Sequence, residues 1–378
     1  MANLHIWPEG PAIQNDQIEM SFTLEEASGE RQRVWYRCSA EHQPALSASC
    51  DPYVLAALFV AMQQKADLVV HGQASPSLLK NLSEYQAAWA CWRPERYAAI
   101  EISAEIEQES DRKPARRALT SFSGGVDSAF TAWRHANGLA GRQNVALQAG
   151  LMVHGFDIRL NQPEVFGRAA VKSQRILESI GLKLITMSSN LKKTGAQFEH
   201  AHAALLASCM MLLQGGYDCG LIASSYPYNG LEVLWGSNPL TDPMLSSAAF
   251  SILHDGTAFN RLEKTQAIAA WPAAIQDLRV CLHGEERDEN CCRCEKCVRT
   301  ILGFRVLGLG LPASFKQDVG LLQVLRVKKF GSLVSYRSIL AEARARRLRQ
   351  PWVYALHWAT FVNQTRSLLK TGLRRKHD

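Results

Sequence analysis

From Arg117 onward, short apolar runs alternate with longer amphipathic ones, and this alternation limits the possible folds more than any other feature of the chain. "ALTSFS" (118–123) reads as a strand, and "SAFTAWRHANGLAG" (128–141) as a helix ending near Gly138 or Gly141. "VALQAGLMV" (145–153), "KLITMSS" (183–189) and "DCGLIASS" (218–225) read as further strands. Between them lie two helical runs, "FGRAAVKSQRILESIGL" (166–182), stopping at Gly181, and "FEHAHAALLASCMMLLQGG" (198–216). Glycine just past a periodic run is a common helix stop, because it takes a left-handed conformation at no Cβ penalty. Strands separated by single helices pair in parallel through crossovers, so the expected class is α/β with a doubly wound parallel sheet. Ligands of such sheets bind beyond the carboxyl ends of the strands.

The turn between the first strand and first helix of this region is "TSFSGGVDSAF" (120–130). Gly124 and Gly125 let the backbone approach phosphate oxygens closely. Ser128 stands where the helix begins, so its hydroxyl can cap the helix or meet a phosphate at the positive end of the helix dipole. Asp127 would repel a polyphosphate by itself and makes sense if it holds Mg2+ bridging the phosphates. The loop is neither GxxxxGK[ST] nor GxGxxG. It resembles the SGGxDS PP-loop of the ATP pyrophosphatase superfamily, which Ser123, Gly124, Gly125, Asp127 and Ser128 match position for position. The resemblance implies cleavage of ATP between the α and β phosphates, transfer of AMP to an oxygen of the substrate, and displacement of AMP by a nucleophile. Ser121, next to the loop, and Asp157, at the end of the second strand, join these residues as candidate ATP contacts.

Ten cysteines are unevenly spread, and Cys281, Cys291, Cys292, Cys294 and Cys297 fall within 17 residues. In a cytoplasmic chain such clustering points to metal rather than disulfides. Cys291, Cys294 and Cys297 have CxxCxxC spacing, and with Cys281 they offer four thiolates to a tetrahedral Zn2+. A [4Fe–4S] cluster is the competing occupant. Cys292 breaks the three-residue period and is surplus, and His283 is a less suitable substitute ligand. Lys296 and Arg299 would offset thiolate charge. A PP-loop followed by this "CCRCEKC" run resembles the 7-cyano-7-deazaguanine synthase (QueC) family over residues 116–312. That resemblance implies a structural zinc, adenylation of a deazapurine carboxylate, and amide then nitrile formation with ammonia. Cys292 stands where that family has glycine, and the first cysteine spacer is one residue longer.

The chain departs from the family at three places. Residues 1–112, with strand-like "QIEMSFTLEEA", "RQRVWYRCSA" and "YAAIEISAEI" and a helical "PYVLAALFVAMQQKA", are expected to form an extra N-terminal α+β domain. Charged "EQESDRKPARR" (107–117) reads as the linker. Residues 313–378 are expected to be a basic helical region. Between residues 337 and 378 there are ten Lys/Arg against Glu342 and Asp378, so this segment carries the basicity behind the overall +7. The third departure is "SSYPYNGLEVLWGSNPLTDPMLSS" (224–247), whose Tyr226, Tyr228, Trp235, Asn238 and Asp242 are candidates to shape a planar-ring or peptide pocket.

Arg261 and Lys264, three apart on a predicted helix, are candidates to stabilise the leaving pyrophosphate, although this pair also suits a solvated face. No Ser-His-Asp or Cys-His nucleophile set emerges, and adenylation needs none, since it relies on positioning and electrostatics. Trp352, Tyr354, Trp358 and Phe361 among the basic residues could stack on bases, but the same near-helical spacing also suits core packing. The expectation is thus an AMP-forming C–N ligase using ATP, Mg2+ and zinc. Its substrate would be a deazapurine, or a protein or tRNA partner held by the N-terminal domain or the basic tail. A non-catalytic nucleotide-binding scaffold of the same fold is the alternative. Hydrophobic residues are 47% and charged residues 20%, ordinary for a protein with a full core. With no signal-peptide pattern and no apolar run of about 20 residues, a soluble cytoplasmic protein without membrane contact is expected.

Overall fold

The computed structural model describes residues 3–111, 116–231, 235–284, 286–327 and 333–374, with side chains as far as residue 365. The N-terminal hairpin joins β1 (Asn3–Gln14) to β2 (Gln17–Glu25) through Asn15 and Asp16, both left-handed at φ 49 and 58. Two such residues make the turn whose twist matches paired strands, and Asn and Asp tolerate it best after glycine. β3 (Arg31–Ser39), α1 (Asp51–Gln64), β4 (Asp67–Ala74), α2 (Pro76–Trp92) and β5 (Ile102–Glu107) follow. Ile18, Met20, Phe22 and Leu24 alternate inward along β2, as a half-buried strand requires. Residues 51–62 of α1 are all buried, so this helix is enclosed on every side rather than amphipathic.

The expected alternation then runs through β6 (Ala118–Ser121), α3 (Val126–Ala136), β7 (Leu147–His154), α4 (Pro163–Glu178), β8 (Lys183–Ser189), α5 (Phe198–Met211) and β9 (Cys219–Ala223). A further parallel strand, β10 (Ser251–Asp255), was not expected; it pairs with β9 from Ser251↔Cys219 to Asp255↔Ala223. Five residues with one buried flank carry too weak a periodicity to stand out. α6 (Arg261–Ile268), α7 (Pro272–Asp277), α8 (Glu295–Val306), α9 (Leu321–Leu325), α10 (Leu333–Ala345) and α11 (Pro351–Arg374) complete the described chain. No helix among the described residues is long and apolar enough to cross a membrane.

The ten strands of the described residues form one mostly parallel sheet flanked by helices, in the order β10-β9-β6-β7-β8-β3-β2-β1-β4-β5. The join is antiparallel, with Tyr36 opposite Ser189 and Cys38 opposite Met187. The first 107 residues therefore continue the same sheet, and they share its core. α1 packs on α5, and the Tyr36 hydroxyl lies 2.7 Å from Ser208 Oγ. The parallel strands β6, β7, β9 and β10 end at Ser121, His154, Ala223 and Asp255. The segments leaving those ends carry Asp127, Asp157, Tyr226 and Arg261, so one edge of the sheet collects the candidate residues.

Candidate functional site

Gly124 is left-handed at φ +75, and a Cβ there would lie 3.3 Å from Ser173 Oγ and 3.5 Å from Arg279 Cβ. Both the conformation and the tight space call for glycine. Gly125, in extended conformation, precedes α3 as its N-cap. Ser128, 6% exposed, folds its hydroxyl back into the loop. It accepts from the Ser123 amide at 3.3 Å and donates to the Gly125 carbonyl at 3.2 Å. Ser121 Oγ reaches only the Leu221 carbonyl, at 3.4 Å. The first amides of α3 have no acceptor within the helix, which makes this end a favourable place for anionic oxygens.

Asp127 is gripped by two cations of α6. Arg261 Nη1 donates to its Oδ2 at 2.5 Å, and Lys264 Nζ lies 3.7 Å from its Oδ1. Asp127 Oδ1 and Arg261 Nε are buried without a hydrogen-bond partner. α6 itself is held by a capping box in which Asn260 accepts from Leu262 and Glu263 while the Glu263 carboxylate accepts from the Asn260 amide. Lys264 is 2% exposed and also donates to Ser224, at 2.6 Å to the carbonyl and 2.8 Å to the hydroxyl. Burial pushes the Asp127 carboxyl upward. The charges of Arg261, Lys264, Arg299 and Lys296 outweigh that and hold it below the usual carboxylate range. Burial likewise holds Lys264 and Lys296 below the usual lysine value.

Arg279 clamps the glycine loop from beneath. It is 4% exposed. Its guanidinium gives the Ser123 carbonyl two hydrogen bonds, of 3.1 and 2.8 Å, and the Arg287 carbonyl one of 3.0 Å. Its own amide donates to the Gly124 carbonyl at 2.8 Å. Asp157 lies 3.5 Å from the same guanidinium, and its carbonyl accepts from Arg287.

The aromatic segment after β9 divides into two parts. Tyr226 lies in the field of Arg299, Glu295 and Asp127, and burial above all raises its phenol. Trp235 buries its indole N–H without a partner, and its ring lies 4.9 Å from that of His202. His202 is lowered by burial, and it feels Asp242, Asp157 and Lys296. Tyr228 points outward, 65% exposed. Asn238 and Asp242 hold the segment in place from inside. Asp242, wholly buried, accepts from Ser237 Oγ at 2.6 Å, His254 Nδ1 at 2.7 Å and the Asn238 amide at 2.9 Å. Asn238 Oδ1 accepts from the Leu240 amide at 2.9 Å.

The sulfurs of Cys281, Cys291, Cys294 and Cys297 lie within 4.8 Å of one another, a set able to hold a metal ion. The separations are 3.5 Å for Cys294–Cys297, 3.8 Å for Cys294–Cys281 and 4.0 Å for Cys291–Cys297. Metal–sulfur bonds of about 2.3 Å at tetrahedral angles place ligand sulfurs about 3.8 Å apart. Cys292 lies outside the set, its Sγ 3.4 Å from the Asn290 carbonyl. Its φ of +55 is the left-handed conformation that glycine adopts most easily. Cys281 follows Arg279 by two residues, and Cys294 and Cys297 bracket Lys296 at the start of α8. The cluster thus ties the segment whose Arg279 holds the glycine loop to the start of α8, whose Lys296 and Arg299 lie in the field of Asp127.

Comparison with protein-family models, with curated proteins and with solved structures found no match for this chain. Arg279 and His202 were missed in the sequence. Nothing local separates a clamping arginine from any other, or one histidine from its neighbours on a helix. Lys296 and Arg299 were read only as partners of the thiolates, whereas both also lie in the field of Asp127.

Proposed function

We propose that this chain is an ATP-dependent, AMP- and pyrophosphate-forming ligase of the PP-loop type, similar to the 7-cyano-7-deazaguanine synthases. The observation that carries the reading is the SGGVDS turn at a parallel strand–helix junction, with Arg261 and Lys264 against the Asp127 carboxylate in the first turn of α3 and Lys296 and Arg299 in its field. Glu295, 3.5 Å from Arg299, offsets one of these cations, so the surroundings still favour added negative charge. A leaving pyrophosphate supplies that charge. In the first step a substrate carboxylate oxygen bonds to the α-phosphorus, and the bond to the β-phosphate oxygen breaks. In the second, ammonia or an amine attacks the acyl carbon, loses a proton, and AMP departs with the C–O bond.

The residues fit Mg2+ only as a companion of the nucleotide. Asp127 has one unpartnered oxygen, and two cations beside it oppose a free divalent ion. Mg2+ is commonly bound by one or two carboxylates plus phosphates, and it would neutralise charge on the phosphates. The cysteine separations support one zinc, since the thiolates of a [4Fe–4S] cluster each bind a separate iron and do not converge on one point. The test is ATP–pyrophosphate exchange with deazapurine carboxylates and with protein and tRNA acceptors. AMP and pyrophosphate should form, and Asp127→Asn, which keeps an oxygen acceptor for Arg261, should abolish turnover with less loss of stability than Asp127→Ala, which leaves two buried cations without their carboxylate. Release of ADP and phosphate would sink the proposal, and tight ATP binding without pyrophosphate release would favour a non-catalytic scaffold.

A further inference from the structure

α11 is fixed to the body by one face and leaves the other uncovered. Trp352, Val353, Leu356 and Ala359 are buried. Tyr354, Trp358 and Phe361 are 59%, 62% and 58% exposed, on the opposite side of the helix. The aromatic spacing was compatible with core packing, but three of the four rings face solvent. Their positions at i, i+4 and i+7 put them in one stripe about 10 Å long. Exposed aromatic residues grouped in this way mark contact surfaces.

Charge selects the kind of partner. Glu342 and Asp378 are the only carboxylate residues after residue 318. Arg344, in the last turn of α10, and Arg347 and Arg349, in the turn before α11, lie exposed, with no ion pair among the described residues. Five more Lys/Arg follow in residues 366–378 of the sequence. An aromatic stripe between two cationic stretches suits an anionic polymer that also offers flat rings. An acidic protein surface supplies the charge without the rings, and a duplex keeps its bases stacked inside. The terminal helix does not form the site proposed above, so the inference stands apart from that reading.

We propose that the uncovered face of α11 binds single-stranded nucleic acid, with Tyr354, Trp358 and Phe361 stacking on unpaired bases and Arg344, Arg347 and Arg349 meeting phosphates. The test uses the full chain and fluorescence anisotropy with labelled 20-nucleotide oligo(dT) and oligo(U). The two strands distinguish DNA from RNA. A 20-base-pair duplex, polyglutamate and anionic phospholipid vesicles serve as competitors. Single strands should bind best, and Trp358→Ala and Phe361→Ala should each weaken binding about ten-fold. Replacing Arg344, Arg347 and Arg349 by Gln should reduce the slope of log affinity against log salt by about two. All variants should keep the parental metal content and melting temperature, because the altered side chains are exposed. Absence of binding at low salt, unchanged affinity in both aromatic variants, or equal competition by duplex, polyglutamate or vesicles would overturn the proposal.

Discussion

Replacing Arg279 by Met tests whether the glycine loop is held from beneath. Methionine keeps most of the buried stem and removes the guanidinium. The Ser123 carbonyl then loses donors at 3.1 and 2.8 Å, and the Arg287 carbonyl loses one at 3.0 Å. Both carbonyls belong to half-buried residues, so each one left without a partner costs about 1–2 kcal/mol, the lower part of the range for unsatisfied groups. The pair with Asp157, at 3.5 Å and with that carboxylate a third exposed, adds little. The expected loss is therefore about 2–4 kcal/mol, read from urea unfolding as a lower midpoint at unchanged slope. The Arg279 amide still donates to Gly124, so the loop stays tethered at one point but its strand-side carbonyl is free to turn. Under the proposed function, ATP affinity, measured by titration calorimetry, should fall at least ten-fold. Arg279→Lys should fall between parent and Met, because an ammonium cannot reproduce a planar fork. A stability loss below about 0.5 kcal/mol, typical of an unconstrained surface site, would refute the clamp. So would a lysine variant indistinguishable from the parent.

Two further predictions concern the metal and acid stability. The purified chain should carry one thiolate-bound ion with metal–sulfur distances of about 2.3 Å by X-ray absorption. Cys297→Ser or chelation should lower the melting temperature and weaken ATP binding together, because Arg279 and Lys296 lie within two residues of the sulfurs; an iron–sulfur spectrum would contradict the assignment. At the end of β10, burial raises the Asp255 carboxyl. The hydrogen bond and charge of His135, the charge of Arg134 and the hydrogen bond from Thr131 outweigh it and hold the group below its ordinary value. A depressed folded-state value means stability that is present above the unfolded carboxylate range and lost as pH falls through the folded value. Asp255→Asn should therefore cost about 2 kcal/mol at pH 7 and clearly less at pH 3, by chemical denaturation at each pH. An equal cost at both would show that the carboxylate charge contributes nothing.

The features legible in the chain by itself are those whose cause lies within a few residues. Gly124 and Gly125 define a strand–helix turn through backbone freedom, whereas Ser128, expected as a cap, lies inside α3 and turns its hydroxyl to the Ser123 amide and the Gly125 carbonyl. Cys291, Cys294 and Cys297 converge because a CxxC turn brings sulfurs together, and the alternation of residues 118–225 follows from helical and extended periods. Tertiary structure decided what depends on partners far apart in sequence. Pairing of Tyr36 with Ser189 merged the first 107 residues into the main sheet, a choice of hydrogen-bonding edge that no local period records. Arg279 and Arg261 acquired their places through contacts with a loop more than 130 residues earlier. Asp242, a polar loop residue in sequence, proved to be an internal anchor. The aromatic residues of α11 make the same point from the other side. Helical spacing determines which side chains share a face, but whether that face is covered depends on the surfaces the rest of the fold brings to it.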